Sequence, residues 1–348
     1  MLNLSFYITL MLLTLNQVVS LSKGGGLNIY LFDIGMGVFS IFGFVYFLLI
    51  KKSFKIPRYS VLFLIFTFIA VTSLIQVIPS YSNENLIVSS FYLFRLFFYL
   101  LGGLVVFNII DKKVMTKKKI FDSFVWSGFF IAFLGFIQLL VLPDFTVLES
   151  SLGWDPHKNR LSSTFFDPNF VGAYFVMCLI LLLEKFYPSK IVKGDTLKKN
   201  KSIDKKYYIL FSVLLSALFL TFSRSAWGMF AVAVLMYGLF RSKKLLYGSF
   251  IIAFLAYFAI PRIQTRVSGI TDPADSASLR LVSWGNTVEI IKDNFWLGTG
   301  FNTFRYVQKQ YGFLAPGEEE VHSGAGSNSS LLFVFATTGI MGFLVYLV

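Results

Sequence analysis

Ten apolar runs, most of them close to the ~17–25 residues a helix needs to cross a bilayer, occupy residues 2–21, 27–50, 59–79, 87–110, 120–142, 169–187, 207–223, 225–240, 245–260 and 329–348. A single water-soluble core cannot absorb that much apolar surface. In lipid every backbone polar group must be paired within its own segment, so the runs are read as helices. The fold class is therefore an all-α polytopic membrane protein, one domain over 1–348 with about ten transmembrane helices. The runs at 225–240 and 245–260 are the shortest for that role. Composition agrees, with 56% hydrophobic, 18% aromatic and only 14% charged residues and a mean hydropathy of +0.70.

A net charge of +13 would suggest nucleic acid in a soluble chain. Here the basic residues cluster in short segments between apolar runs, which sets topology and excludes a nucleic-acid partner. Segments 51–58, 111–119, 185–206 and 241–244 hold 4, 5, 8 and 3 Lys or Arg residues, and the positive-inside rule places them in the cytoplasm. The connections at 22–26, 80–86, 143–168, around Arg224 and at 261–328 then face outward, and the N-terminus lies inside. Residues 1–21 lack a basic leader and a small-residue cleavage pattern, so they are read as a retained first helix. The run ending at Val348 has no closing polar flank, as expected of a chain cut within a span. Cys178 is the single cysteine and sits in an apolar run, so it forms no internal disulfide and is read as packing.

The exception to this pattern is the polar, charged connection 261–328, too long for a simple link between spans and read as a lid or active-site element. Leu281, Trp284, Val288 and Ile291 recur there at three- and four-residue spacing, which predicts an amphipathic helix from about Ser276 lying along the membrane surface. It carries Arg280 over the outer leaflet, where the residue meets either a lipid-linked phosphate or an ordinary headgroup. Gly298 and Gly300 mark a tight turn or a close approach to a ligand. His322, in the small-residue arm before Asn328, is either a solvated loop histidine or a base able to take a hydroxyl proton near neutrality. The consecutive Glu318, Glu319 and Glu320 do not converge on one ion, so no metal site is expected.

Arg224 stands where two short runs meet in Thr221-Phe222-Ser223-Arg224-Ser225-Ala226-Trp227, capping a hairpin at the outer face. Its planar fork suits phosphate oxygens, and the alternative is a snorkelling headgroup anchor. Arg95 lies inside the fourth run, roughly 12 Å deep against roughly 9 Å for Asp33 in the second, so the two are placed to pair. A structural ion pair and a ligand contact in the cavity both remain open. Arg160, with His157 as loop surface, precedes the Asp167-Pro168-Asn169 turn that starts the sixth run.

Taken in order, Asp167-Pro168-Asn169, Ser223-Arg224-Ser225-Ala226-Trp227, Arg280 to Trp284, Trp296-Leu297-Gly298-Thr299-Gly300 and Asn328 to Gly342 resemble the O-antigen ligase and polymerase superfamily over about 160–348. The resemblance implies a GT-C-like membrane glycosyltransferase in the bacterial plasma membrane. It would act at the outer face on undecaprenyl-diphosphate-linked oligosaccharide, with neither metal nor nucleotide sugar. It implies diphosphate binding by Arg224 and Arg280 and makes His322 the match to the family's loop histidine, with Arg95, Asp33, Arg160 and Asn328 as secondary candidates.

The expected acceptor is another lipid-linked repeat, giving a surface-polysaccharide polymerase, or else a lipid, a wall polymer or a protein, giving a ligase. Two competing readings remain. One is a lipid-linked sugar transporter or flippase, which would call for paired inverted halves with broken helices; the other is a noncatalytic assembly subunit.

Overall fold

A computed structural model describes residues 1–22, 27–148, 157–188, 203–268, 276–314 and 325–348. Thirteen α-helices run through the described residues. Ten coincide with the ten apolar runs: α1 Leu2–Leu15, α2 Leu31–Val45, α3 Ser60–Gln76, α4 Asn83–Asp111, α5 Lys117–Val141, α6 Pro168–Phe186, α7 Lys205–Leu220, α8 Arg224–Phe240, α9 Lys243–Ala259 and α13 Ser330–Leu347. Among the described residues five helices are long and apolar enough to cross a membrane: α2 with its π-helical continuation to Ile50, α4, α5, α6 and α13. The remaining three, α10 Pro261–Ser268, α11 Ser276–Asp293 and α12 Phe304–Gln310, lie within the long polar connection. A two-stranded antiparallel ribbon, Ser20–Ser22 with Ile29–Tyr30, joins α1 to α2.

Helix starts follow local chemistry. The Ser82, Thr116, Asp167, Asp204, Ser223 and Ser329 side chains each accept from a backbone N–H in the first turn of the helix they precede, satisfying donors that have no partner within the helix. Pro168, at the first position of α6, has no N–H to lose.

Packing divides into three apolar clusters. One joins α5, α6, α7 and α8 through Ile131, Phe175, Leu179, Leu214 and Ala226. A second joins α1, α2 and α4 through Phe6, Phe39, Phe47 and Val105. The third joins α11, α12 and α13 through Ile290, Ile291, Phe304, Val307 and Ala336. Outside them, large apolar side chains face outward, among them Phe68, Phe94, Leu140, Val232 and Phe258. The clearest case is α9, which buries none of its residues and exposes Tyr247, Phe250, Ile251, Phe254 and Leu255. α9 packs along α8, with Leu246 against Gly238, and a helix whose remaining surface is apolar suits lipid and not water.

Asp33 and Arg95 do pair. Arg95 Nη2 donates to Asp33 Oδ2 at 2.6 Å and to the Asn28 carbonyl, the Tyr99 hydroxyl donates to Asp33 Oδ1, and the guanidinium lies 4.8 Å from the Tyr92 ring centroid. Asp33 Oδ2 also accepts from the Tyr30 N–H, which closes the N-terminus of α2. This geometry supports the ion-pair reading of Arg95. We predict that Arg95→Met alone destabilises the protein by about 3–5 kcal/mol, because it strands a carboxylate, whereas D33L/R95M together recovers most of the loss. Thermal melting of the purified protein in detergent checks this, and additive losses in the double variant would refute it.

Candidate functional site

The turn Thr221–Ser223 between α7 and α8 is held from three directions. Arg160 Nε donates to the Thr221 carbonyl at 2.9 Å and its Nη2 to the Phe222 carbonyl at 3.3 Å. Ser223 Oγ donates to Asn169 Oδ1 at 2.7 Å, tying the turn to the start of α6, and the Leu161 N–H donates to the Leu220 carbonyl at 2.8 Å. From α10, the Arg262 guanidinium lies 3.9 Å from the Phe222 ring centroid and donates to the carbonyls of Lys158 and Asn159.

These contacts fix a backbone that would not choose this shape alone. Phe222 has φ +48°, a left-handed conformation that costs a residue with a Cβ about 1–2 kcal/mol. Such strain persists where surroundings over-determine it, and it clusters at functional sites. The consequence is a defined position for Arg224, half-buried, at the first residue of α8. Ser223 Oγ accepts from the Ala226 N–H, so the helix starts cleanly, with the positive end of its dipole beside the guanidinium. An arginine at a helix N-terminus, with two further guanidinium groups on the adjoining turn, is suited to receive an anion.

The loop supplying Arg160 is itself braced. Gln138 Oε1 accepts from the N–H groups of Ser162 and Ser163, and the Asn159 N–H donates to the Pro143 carbonyl. Lys158 Nζ lies 3.2 Å from Asp144, whose carboxyl is held below its usual range, chiefly by hydrogen bonds from Thr146 and further by Lys158. His157 presents Nδ1 to Arg160 Nη1 at 3.5 Å and is half-buried, so it belongs to this arginine loop and is more than loop surface.

Arg280 sits half-buried in the N-terminal part of α11, and among the described residues no hydrogen bond or ion pair joins it to Arg224. Within the described residues α11 spans Ser276–Asp293. Leu281, Trp284 and Val288 are exposed along it, while Thr287, Ile290 and Ile291 are buried, the isoleucines against α12 and α13. One face is thus docked and the neighbouring apolar face left open. At its far end Asp293 accepts from the Tyr311 hydroxyl at 2.6 Å, a bond that with burial pushes the phenol up to about 12.

Gly298 and Gly300 form a turn on α13, where the Thr299 N–H donates to the Ala336 carbonyl. His322 and Glu318 to Glu320 lie outside the described residues. Asn328 is exposed with φ +55°, and Ser329 is the residue that caps α13.

The structure therefore brings together Arg224, Arg160 and the Asp167-Pro168-Asn169 turn. Arg262 joins them from α10. Arg262 carries the same signal as Arg224, an arginine among the first polar residues after an apolar run.

Residues 209–347 match the family model Wzy_C, described as O-Antigen ligase. That stretch contains the Arg224 turn, α11 with Arg280, the Gly298 turn and α13, and the match supports the placement that the ordered motifs imply. No curated protein matches the chain.

Proposed function

We propose that this chain, which matches the O-antigen ligase family model over residues 209–347, transfers an undecaprenyl-diphosphate-linked oligosaccharide to an acceptor hydroxyl and polymerises surface-polysaccharide repeats. The observation that carries the reading is the braced turn presenting Arg224 at the N-terminus of α8. Ten spans, with the site on the extracytoplasmic face, follow from the basic segments between the runs. The open Leu281–Trp284–Val288 face of α11 is the surface such a helix would lay on the outer leaflet.

In the proposed reaction the acceptor oxygen attacks the anomeric carbon as the bond from that carbon to the diphosphate oxygen breaks. The bonding pair leaves on the diphosphate. Arg224 and Arg280 stabilise the charge that develops there, which is where preorganised cations lower a barrier most. The hydroxyl proton passes to a base, assigned to His322. Attack opposite the leaving group inverts the anomeric configuration. Guanidinium groups supply the cationic charge, so the step is written without a metal.

The family description favours a second reading, a ligase transferring once to a lipid, wall-polymer or protein acceptor. Reconstitution with a defined lipid-linked repeat separates the two, since a product ladder means polymerase and a single transfer means ligase. Arg224→Ala, Arg280→Ala and His322→Ala, compared at equal protein level, test the site. Full activity in all three would overturn the assignment. His157→Gln, run alongside, tells which of the two histidines takes the proton.

A further inference from the structure

Apart from the arginine turn, the start of α4 and the short helix α12 enclose a cavity of about 360 Å³, within the ~300–1,000 Å³ range of small-molecule sites. Tyr81 lines it from the α3–α4 connection, Glu84 and Asn85 from the first turn of α4, and Arg305, Tyr306 and Lys309 from α12. The Tyr81 and Tyr306 rings stand 5.9 Å apart between centroids, tilted at 48°, and form an aromatic wall. Burial raises both phenols above their usual range, so they present neutral hydroxyls at physiological pH. Arg305 is only 6% exposed although charged.

This lining discriminates among ligand classes. Among the described residues of the lining Val88 alone is aliphatic, so a lipid chain would find few apolar partners there. A sugar ring needs what is present: aromatic faces for its C–H surface, and amide, carboxylate and guanidinium groups that bond adjacent hydroxyls in pairs.

The position also fits. Tyr81 packs on the cluster of Ile290, Ile291, Phe304 and Val307, so the cavity adjoins the C-terminal half of α11, roughly 15 Å along the helix from Arg280 to Ile290 at 1.5 Å per residue. Both connections that build it face outward in the charge topology.

We infer that this cavity is a glycan subsite, which binds a sugar of the transferred or growing oligosaccharide at a distance from the diphosphate. The inference rests on the transferase reading for the identity of its ligand. Two cations against one carboxylate in the lining favour an acidic sugar over a neutral one.

The test uses the full chain in nanodiscs, titrated with oligosaccharides released from the surface polysaccharide of the organism that makes it. Saturable binding is expected, with Asn85→Ala and Lys309→Ala each weakening it about tenfold. In proteoliposomes the same variants raise KM for the lipid-linked repeat and leave kcat within about twofold, since they remove binding that is uniform along the reaction. Because Arg305 is buried, Arg305→Lys is included with a melting curve; a folded variant with weakened binding supports the subsite. Unchanged affinity in Asn85→Ala, Lys309→Ala and folded Arg305→Lys would overturn it, as would wild-type protein that transfers glycan yet binds no free oligosaccharide. Wild-type protein that binds the sugars but makes no polymer or ligated product would refute the transferase reading and leave the subsite standing.

Discussion

Arg224→Ala is expected to lower turnover by about 10²–10³-fold, the usual loss when one preorganised donor to a developing oxyanion is removed. The effect should fall on kcat more than on KM for the lipid-linked donor. The diphosphate is already anionic when it binds, but its charge grows as the anomeric bond breaks, so the cation is worth more in the transition state. Arg224→Lys keeps the charge and loses the planar fork, and an intermediate loss of about tenfold is expected. Initial rates in proteoliposomes at equal protein level decide the matter. A loss below about threefold for the alanine variant would remove Arg224 from the chemistry.

Arg160 tests how Arg224 is held. It donates to the Thr221 and Phe222 carbonyls, so it acts on the reaction through the turn and is a positioning residue. Arg160→Lys retains a cation but cannot span both carbonyls with one fork. Its melting temperature should stay close to wild type, with kcat down about tenfold and KM little changed, the pattern of an interaction felt in the transition state. Equal losses of stability and activity would make it merely structural.

What the sequence reveals and what it hides follow physical lines. The ten apolar helices are legible because each is specified by its own composition, and α9 is correct even though it buries none of its residues fully. Their caps are legible too, as in Asp167-Pro168-Asn169, because capping is local. By contrast, α10 and α12 are short and polar, and too few turns exist for a period to show. The Leu281–Trp284–Val288 stripe of α11 is visible as a period. That Thr287, Ile290 and Ile291 are the buried face depends on α12 and α13, which no local pattern encodes.

The site divides the same way. Arg224 stands out as a charge at an apolar boundary. The grip of Arg160 and Arg262 on its turn is long-range and uses main-chain carbonyls, which have no sequence signature. The cavity beside Arg305 joins two connections far apart in the chain, so its residue types appear separately as ordinary loop polarity.

The second large effect is expected at a joint that carries no charge. α13 is broken at Gly339, whose φ of +65° and ψ of −171° lie in a region essentially reserved for glycine. The Trp296–Gly298 backbone nests into that break. The Ile340 N–H donates to the Phe295 carbonyl and the Thr299 N–H to the Ala336 carbonyl, both at 2.8 Å. A Cβ on Gly298, itself at φ +72°, would stand 2.5 Å from the Thr337 carbonyl carbon and 2.6 Å from the Thr338 nitrogen, and one on Gly339 would collide with the Trp296 carbonyl.

Backbone cannot yield as a side-chain tip can, and the backbone conformation is unfavourable as well. Gly298→Ala and Gly339→Ala should therefore each cost on the order of 3–5 kcal/mol, lowering the melting temperature by roughly 4–7 °C. Gly103→Ala is the control. It lies inside α4 with open space around its Cβ position, and helix propensity predicts a gain of up to about 1 kcal/mol. Melting curves in one detergent compare the three directly. If Gly298→Ala melted within about two degrees of wild type, the joint would not be the rigid element it is taken to be. Because α11 leads straight into this joint, the loosened variants should also lose transfer activity at temperatures where they remain folded, through misplacement of Arg280 and not through any contact of the glycines with substrate.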